Sequence, residues 1–360
     1  MASVEKRPNG QWRARWREYP GGPQRTKQFA RKVDAEQHLV KTQHSLLTGS
    51  YVDPTKSRTT VEEFYRIWSD RQPWRITTKT AVATTFETHV LPTFGKRPLG
   101  SIRRGDLEGW AAKLPLATGS VRLAMQHLGS MLGAAVTDGL LVANPADQTK
   151  RPRAAAHPVT PLTAGEVVRL REAAPPWFAV ALTLGAGCGL RLSEATGLTV
   201  DRVDFLRREL TVDRQMLPIG DLEFGPPKTE RSYRKVPLAN MVVAELARHV
   251  EVHGTGRDGL VLHRDGEPMR RQRFGDVWRA TRGGASLPDA RYHDTRHTYA
   301  SVLLSGGVSV AAAAEYLGHS PAMLLSTYAH LMPADHDRAR AVVEAAFTVS
   351  AAGLAETAED

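Results

Sequence analysis

Apolar positions follow three different spacings along the chain. In Gln11-Trp12-Arg13-Ala14-Arg15-Trp16-Arg17-Glu18-Tyr19 they alternate. That period of two predicts a strand with Trp12, Ala14 and Trp16 on one side and Arg13, Arg15 and Arg17 on the other. Pro20-Gly21-Gly22-Pro23 is a strong turn, Gln24 to Phe29 returns as a second strand, and Lys32 to Leu46 has the composition of a helix. From Thr60, an N-cap candidate followed by Glu62 and Glu63, the spacing becomes helical to about Arg71. Further helices are expected at about 78–91, 104–113 and 118–138, and Asn144-Pro145 closes this all-helical unit. In the third regime, Leu162 to Glu166 opens a helix and Trp177 to Gly187 forms a mostly buried one. Leu210-Thr211-Val212, Leu222-Glu223-Phe224 and Arg234-Lys235-Val236-Pro237-Leu238 read as short strands, and the chain is helical again from Arg291 to about residue 347. Residues 51–59 and 150–161 read as linkers, and 348–360 as a disordered tail.

Composition narrows the function classes. The longest weakly polar run, Trp177 to Leu190, is 14 residues, short of the roughly 18 or more needed to span a bilayer. The N-terminus carries Glu5, Lys6 and Arg7 without an apolar stretch, unlike a secretory signal. A single cysteine, Cys188, excludes an internal disulfide and any multi-cysteine zinc site. A basic cytosolic protein is the expectation. Of the net charge of +10, residues 1–60 supply a surplus of seven, with twelve Lys and Arg against five acids. Such a cationic concentration suits a polyphosphate partner, because each neutralised phosphate releases a counterion. Arg13, Arg15 and Arg17, on one face of a small sheet, are candidate DNA contacts; the plain alternative is a solvated face over a two-tryptophan core.

Several polar groups interrupt apolar stretches in the last segment. Arg191 follows Gly187-Cys188-Gly189-Leu190, and its guanidinium fork could hold two phosphate oxygens, with Glu194 one helical turn on to orient it. A local surface ion pair is the alternative. In His293-Asp294-Thr295-Arg296-His297, His293 and Arg296 share a helical face and suit phosphate binding or proton transfer. His319 lies in Leu317-Gly318-His319-Ser320, and Tyr328 follows in Thr327-Tyr328-Ala329-His330. Tyr328 is a candidate nucleophile whose phenolate two nearby arginines would favour; taken singly it reads as a packed tyrosine.

Together these boxes resemble the tyrosine recombinase (phage integrase) family, whose chemistry is shared with type IB topoisomerases. Gly189-Leu190-Arg191-Leu192-Ser193-Glu194 is similar to its first-arginine box, and His293-Asp294-Thr295-Arg296-His297-Thr298-Tyr299-Ala300-Ser301 to its His-x-x-Arg box. Leu317-Gly318-His319-Ser320 and Thr327-Tyr328-Ala329-His330 resemble the third-histidine and nucleophile boxes. Pro227-Lys228-Thr229, before Val236-Pro237-Leu238, resembles the catalytic-lysine hairpin, with Lys228 at its tip; Lys235 stands where many relatives have arginine. The resemblance implies a multidomain α+β chain: a small N-terminal three-stranded sheet plus helix (1–55, arm-type DNA binding), an all-α core-binding domain (60–150), and a mainly α catalytic domain with a small antiparallel sheet (160–347).

By that resemblance Tyr328 attacks a scissile phosphate to give a 3′-phosphotyrosyl bond, Arg191 and Arg296 hold the non-bridging oxygens, and Lys228 protonates the leaving 5′-oxygen. His293 acts as base or phosphate donor, His319 donates to the phosphate, and Glu194 supports. No cofactor and no metal are implied. The implied partners are double-stranded attachment sites of core and arm type, a tetramer on DNA, a directionality factor and a DNA-bending host protein, in the cytoplasm of a bacterial host at its nucleoid. The apolar side of 339–347, with Val342, Val343, Ala346 and Phe347, would dock on a neighbouring protomer or on its own domain. Within the same chemistry, the alternatives are a transposon recombinase and a chromosome-dimer resolvase. Two rivals use other chemistry. A metallohydrolase would use the four-residue spacing of His293 and His297, but Asp294 stands where such enzymes place Glu and Arg296 would set a cation beside the metal. A non-catalytic DNA-binding regulator explains the basic sheet but leaves the five ordered boxes as coincidence.

Overall fold

The computed structural model describes residues 2–18, 21–47, 58–150, 152, 159–217, 223–329, 339–341 and 343–347. The tail expected at 348–360 and Val342 lie outside them, as does Leu222 of one expected strand. Two compact units divide the chain, Met1–Ala155 and Ala156–Asp360. Among the described residues, no helix is long and apolar enough to cross a membrane.

The first unit has two cores. At its start β1 (Ser3–Lys6), β2 (Trp12–Arg17) and β3 (Gln24–Phe29) form an antiparallel sheet in chain order, followed by α1 (Lys32–Leu47). The alternation of β2 sets its faces: Ala14 and Trp16 are buried against Ala35 and Leu39 of α1, and the arginines lie on the other face. The second core belongs to helices α2 (Val61–Asp70), α3 (Ile76–Thr85), α4 (Leu91–Phe94), α5 (Arg104–Lys113) and α6 (Thr118–Thr137). Thr60 starts α2 with a reciprocal cap: its Oγ1 accepts from the Glu63 amide at 3.2 Å and its amide donates to Glu63 Oε2 at 2.8 Å. The helix expected at 78–91 is interrupted by a π turn, Phe86–Val90, just before Pro92. Proline has no amide hydrogen to continue the regular ladder.

In the second unit α7 (Ala164–Ala173) leads to α8 (Val180–Leu182), which runs into a second π turn, Thr183–Gly187, and then α9 (Leu192–Thr196). A three-stranded antiparallel sheet in the order β4 (Val203–Asp204), β5 (Glu209–Val212), β8 (Arg234–Pro237) lies beyond it. The intervening β6 (Gln215–Met216) and β7 (Phe224–Gly225) pair with each other. After α10 (Asn240–His253) and the short pair β9 (His263–Arg264) and β10 (Glu267–Pro268) come α11 (Arg271–Gly284), α12 (Tyr292–Ser305), α13 (Val310–Leu317) and α14 (Pro321–Tyr328). The long helical stretch expected from Arg291 is therefore broken at Gly306-Gly307 and at Gly318, each an end for the helix before it. One core unites most of these elements, with Leu182, Leu184, Leu190, Val236, Ala300, Leu317 and Tyr328 all buried in it, while Met216 of β6 and Phe224 of β7 pack with Leu260 in a small cluster of their own.

Candidate active site

Helix α12 is buried from Asp294 through Ala300, so its polar groups must find partners inside the fold. The Arg291 amide donates to Asp294 Oδ2 at 2.8 Å and caps the helix. Thr295 Oγ1 donates to the Tyr292 carbonyl at 2.6 Å, and Thr298 Oγ1 to the Asp294 carbonyl at 3.1 Å while accepting from the Leu162 amide at 2.9 Å. Arg296 is fully buried. Its Nη1 donates to the Gly189 carbonyl, and its Nη2 to the Leu317 carbonyl and to His319 Nε2, the last at 2.9 Å. Burial, and then the charge of Arg191, lower its pKa to about 9, which leaves it a cation at neutral pH. Because His319 accepts through Nε2, its proton sits on Nδ1. Burial and the charges of Arg296 and Arg191 hold this imidazole near 3, hence neutral. Among the described residues, the His319 Nδ1 and Arg296 Nε atoms are both buried without a hydrogen-bond partner.

Arg191 enters from the N-cap of α9. Its amide donates to Glu194 Oε2 at 2.9 Å, its Nη1 to Glu194 Oε1 at 2.7 Å and its Nη2 to the Gly318 carbonyl at 3.2 Å. Glu194 is itself buried, and Arg234 grips it from β8, with Nη1 to Oε1 at 3.1 Å and Nη2 to Oε2 at 2.8 Å. Burial by itself would raise the Glu194 carboxyl; the hydrogen bonds and charge of Arg234, with Arg191 and Arg296, override it and bring the group to about 2. The alternative of a surface Arg191–Glu194 pair is thus corrected to an Arg191–Glu194–Arg234 bridge in which Glu194 and Arg234 are buried and Arg191 is partly exposed. Two glycines make this packing possible. Gly189 has φ +64°, and a Cβ there would fall 2.4 Å from Tyr299 Cδ1. Gly318, at φ +61°, ends α13 in the left-handed region. The carbonyls of both glycines accept from the two arginines.

Tyr328, at the end of α14, is only 1% exposed, and its hydroxyl bonds His297 Nδ1. Burial pushes its phenol up to about 12 against the opposing charge of Arg296. The expectation that nearby arginines favour the phenolate is therefore reversed: burial outweighs them. His293, one turn before His297, is exposed, its pKa lowered by partial desolvation and by Arg296 and Arg191. Arg191, Glu194, Arg296, His319 and Tyr328 thus come from α9, α12, α14 and the α13–α14 junction into one cluster, with His293 at its open side.

Residues 161–334 match the model of the phage integrase family. The chain is 24% identical to a putative prophage phiRv2 integrase of Mycobacterium tuberculosis over 341 residues, 89% of each protein. In fold it resembles the Tn1549 transposon integrase in complex with a circular intermediate DNA, with a TM-score of 0.68 and 23% identity over 79% of this chain and 99% of that one. It also resembles a lambda integrase tetramer bound to a Holliday junction, at 0.56 and 16% over 89% and 94%. Residues 161–334 of this chain form a phage integrase (tyrosine recombinase) family domain. The chain is a tyrosine-type site-specific recombinase, and its mixed α/β fold is that of the integrase structures.

In this recombinase Lys228 stands apart from the hydrogen-bonded cluster. It is exposed and, among the described residues, its amine has no hydrogen-bond or ion-pair partner. The expected hairpin around it is corrected as well. Because β7 pairs with β6 and β8 with β5, Lys228 lies on a connection between two sheets. On β8 the side chains alternate: Arg234 points in, while Lys235 points out to Glu209 Oε2 at 3.0 Å. Arg13, Arg15 and Arg17 occupy the outer face of the N-terminal sheet. Arg13 Nε and Arg15 Nη2 both donate to Glu5, at 2.6 and 2.5 Å, and Arg17 donates to the Gly22 carbonyl.

Two participants escaped the sequence reading. Arg234 was legible only as part of a strand, although its period-two relation to Val236 places it on the inward face. His297 figured only as the second histidine of a metal spacing; its ring instead stands edge-on to His293 at 4.7 Å and bonds Tyr328.

Proposed function

We propose that this recombinase integrates or excises a mobile DNA element by strand transfer through Tyr328. Tyr328 Oη attacks the scissile phosphate, forms a 3′-phosphotyrosyl bond and releases a 5′-hydroxyl. The 5′-hydroxyl of a partner strand then displaces the tyrosine, and two such exchanges pass through a Holliday junction. The phosphotyrosyl bond conserves the energy needed for rejoining, so the steps balance without a nucleotide or a metal. Arg191 and Arg296 hold the non-bridging oxygens, His319 donates through Nδ1, Lys228 moves in as the acid for the 5′-oxygen, and His293 borders the phosphate from the open side. Glu194 and Arg234 fix Arg191.

The observation that carries this reading is the pair of buried donors left without partners, Arg296 Nε and His319 Nδ1, in the cluster that contains the tyrosine. Buried polar groups in a folded protein are nearly always satisfied, and an anion with oxygens on several sides satisfies both. Such preorganised donors stabilise charge developing on a phosphate. The match to 89% of the phiRv2 integrase and to 94% of a chain of the lambda integrase tetramer supports an integrase working as a tetramer on two sites. In this reading residues 60–150 grip core sites, and residues 1–55 grip arm sites through Arg13, Arg15 and Arg17. A directionality factor and a host bending protein choose between integration and excision.

The test is a nicked suicide attachment site incubated in chelator. A covalent protein–DNA band should form with the wild type and vanish with Tyr328→Phe, while both bind the site equally. An undiminished band with Tyr328→Phe would refute the nucleophile.

A further inference from the structure

Among the described residues the cluster holds three imidazoles, and one of them touches the tyrosine oxygen. His319 commits its Nε2 to Arg296, and His293 is exposed on the next turn. His297 Nδ1 bonds the Tyr328 hydroxyl, with the two rings tilted at 5.6 Å. An Nδ1 that accepts the phenolic hydrogen leaves the imidazole's own proton on Nε2. Exposure rises from Tyr328 at 1% to His297 at 9% to the open ring of His293, which His297 meets edge-on at 4.7 Å and 85°. Among the described residues, a proton leaving the buried phenol therefore has His297 as the acceptor in contact and a route outward behind it.

We propose that His297 is the general base of strand cleavage, a role that rests on Tyr328 being the nucleophile. As Tyr328 Oη bonds to phosphorus and the bond from phosphorus to the 5′-oxygen breaks, the phenolic proton passes to His297 Nδ1 and the ring becomes an imidazolium. The 5′-oxygen takes its proton from the acid on the opposite side. On rejoining, the 5′-hydroxyl attacks, Oη leaves, and His297 returns the proton to it.

The energetics agree with a concerted transfer. Burial raises the phenol to about 12, so little phenolate forms beforehand. Burial first, then His293, Arg291 and Arg296, hold His297 near 4 against the opposing pull of Asp294. A base that weak takes no proton from a resting phenol. It suffices once the aryl oxygen begins bonding to phosphorus, because that oxygen's proton then becomes strongly acidic. Asp294, next to His293 and one helical turn before His297, pulls both imidazoles upward and stabilises the imidazolium that forms.

The experiment compares wild type, His297→Asn, His297→Gln and Tyr328→Phe in single-turnover cleavage of the suicide substrate, with folding followed by melting and site binding by gel shift. Asn places an oxygen near the Nδ1 position and can hold the hydroxyl without taking its proton. Both His297 variants should bind the site normally and cleave about 10²–10⁴-fold more slowly, with a rate that climbs with pH through a range where the wild type is flat. Cleavage at the wild-type rate and pH profile, or faster than wild type because the hydrogen bond only restrains the tyrosine, overturns the proposal. Covalent product with Tyr328→Phe instead refutes the nucleophile itself. A second measurement needs no variant of His297. On a 5′-bridging phosphorothiolate, whose leaving thiolate needs no proton, wild-type cleavage should keep a solvent deuterium isotope effect clearly above unity. An effect of one means that the phenolic proton is gone before the transition state, and overturns the proposal.

Discussion

Arginine is used in opposite ways in the two units. In the second unit Arg296 and Arg234 are buried and clamped: the carbonyls of Gly189, Leu317, Tyr316 and Ser232 hold them, and Glu194 balances the charge. In the N-terminal sheet Arg13, Arg15 and Arg17 lie on an outer face, two of them sharing Glu5. The difference teaches what each set can do. A buried guanidinium with fixed partners has lost its rotamer freedom during folding and presents donors at set positions, as charge stabilisation in a reaction requires. A surface guanidinium exchanges a weak carboxylate partner for a phosphate and contributes affinity that salt screens.

The largest effect should come from breaking the interior bridge. Glu194→Ala leaves Arg234 buried and uncompensated, and removal of one partner of a buried pair costs about 3–5 kcal/mol. Urea denaturation of wild type and variant measures it. The sign with pH is fixed. Glu194 is lowered from 4.5 to about 2, so its contribution is fully present above the ordinary carboxylate range and is lost as pH falls from there toward 2. The gap between wild type and Glu194→Ala should therefore be constant from pH 5 upward and narrow below it. A gap that widens in acid would mean that Arg234 is not what holds the carboxyl.

Next in size is the backbone that presents the arginines. Gly189→Ala forces a side chain into φ +64° and into contact with Tyr299, and should lower stability by about 1–3 kcal/mol, from the strain of that backbone conformation and overpacking. Since the Gly189 carbonyl anchors Arg296, covalent-complex formation should fall further than site binding does. Equal losses in the two assays would remove the claim that the carbonyl positions the guanidinium.

How much of this was legible beforehand depended on how local the cause was. The β2 alternation, the Thr60–Glu63 cap and the α5 helix at 104–113 are set by neighbouring residues, and they stand where the spacing puts them. The π turns at Phe86–Val90 and Thr183–Gly187 were not: the first stands ahead of Pro92, and in the second Gly185 packs so closely on Thr295 that a Cβ would fall 2.0 Å from its Oγ1, and neither cause shows in the periodicity. Arg191, Arg296, His319 and Tyr328 were found as boxes, yet their partners lie 107 residues away for Arg296 with Gly189 and 31 for His297 with Tyr328. Arg234 with Glu194, 40 apart, needed the sheet register to be seen. Lys228 is the converse: a motif position whose side chain the folded chain leaves outside the network.

The sheet face tests the other side of the comparison. Arg13→Ala, Arg15→Ala and Arg17→Ala should each weaken arm-site binding and lower the slope of log affinity against log salt by about one for every phosphate left without its arginine. Cleavage of a suicide substrate that carries only a core site should be unchanged. If the triple variant lost core cleavage too, the surface arginines would belong to the chemistry and the contrast between the two regions would collapse.

The smallest effect is expected one residue away from one of the largest. Arg234 and Lys235 are neighbours on β8, both pair with a glutamate, and the strand's alternation sends them to opposite environments. The Arg234–Glu194 side chains are 1% and 3% exposed, those of Lys235 and Glu209 62% and 38%. Lys235→Gln should therefore change stability by less than about 1 kcal/mol, and by less again at high salt, because exposed pairs gain little over their solvated state. Cleavage should stay at the wild-type rate, since its amine is turned away from the cluster and toward β5. A large loss of cleavage with unaltered stability would make Lys235 the acid in place of Lys228. It would also mean that DNA binding turns β8 over, which the buried Arg234–Glu194 bridge resists.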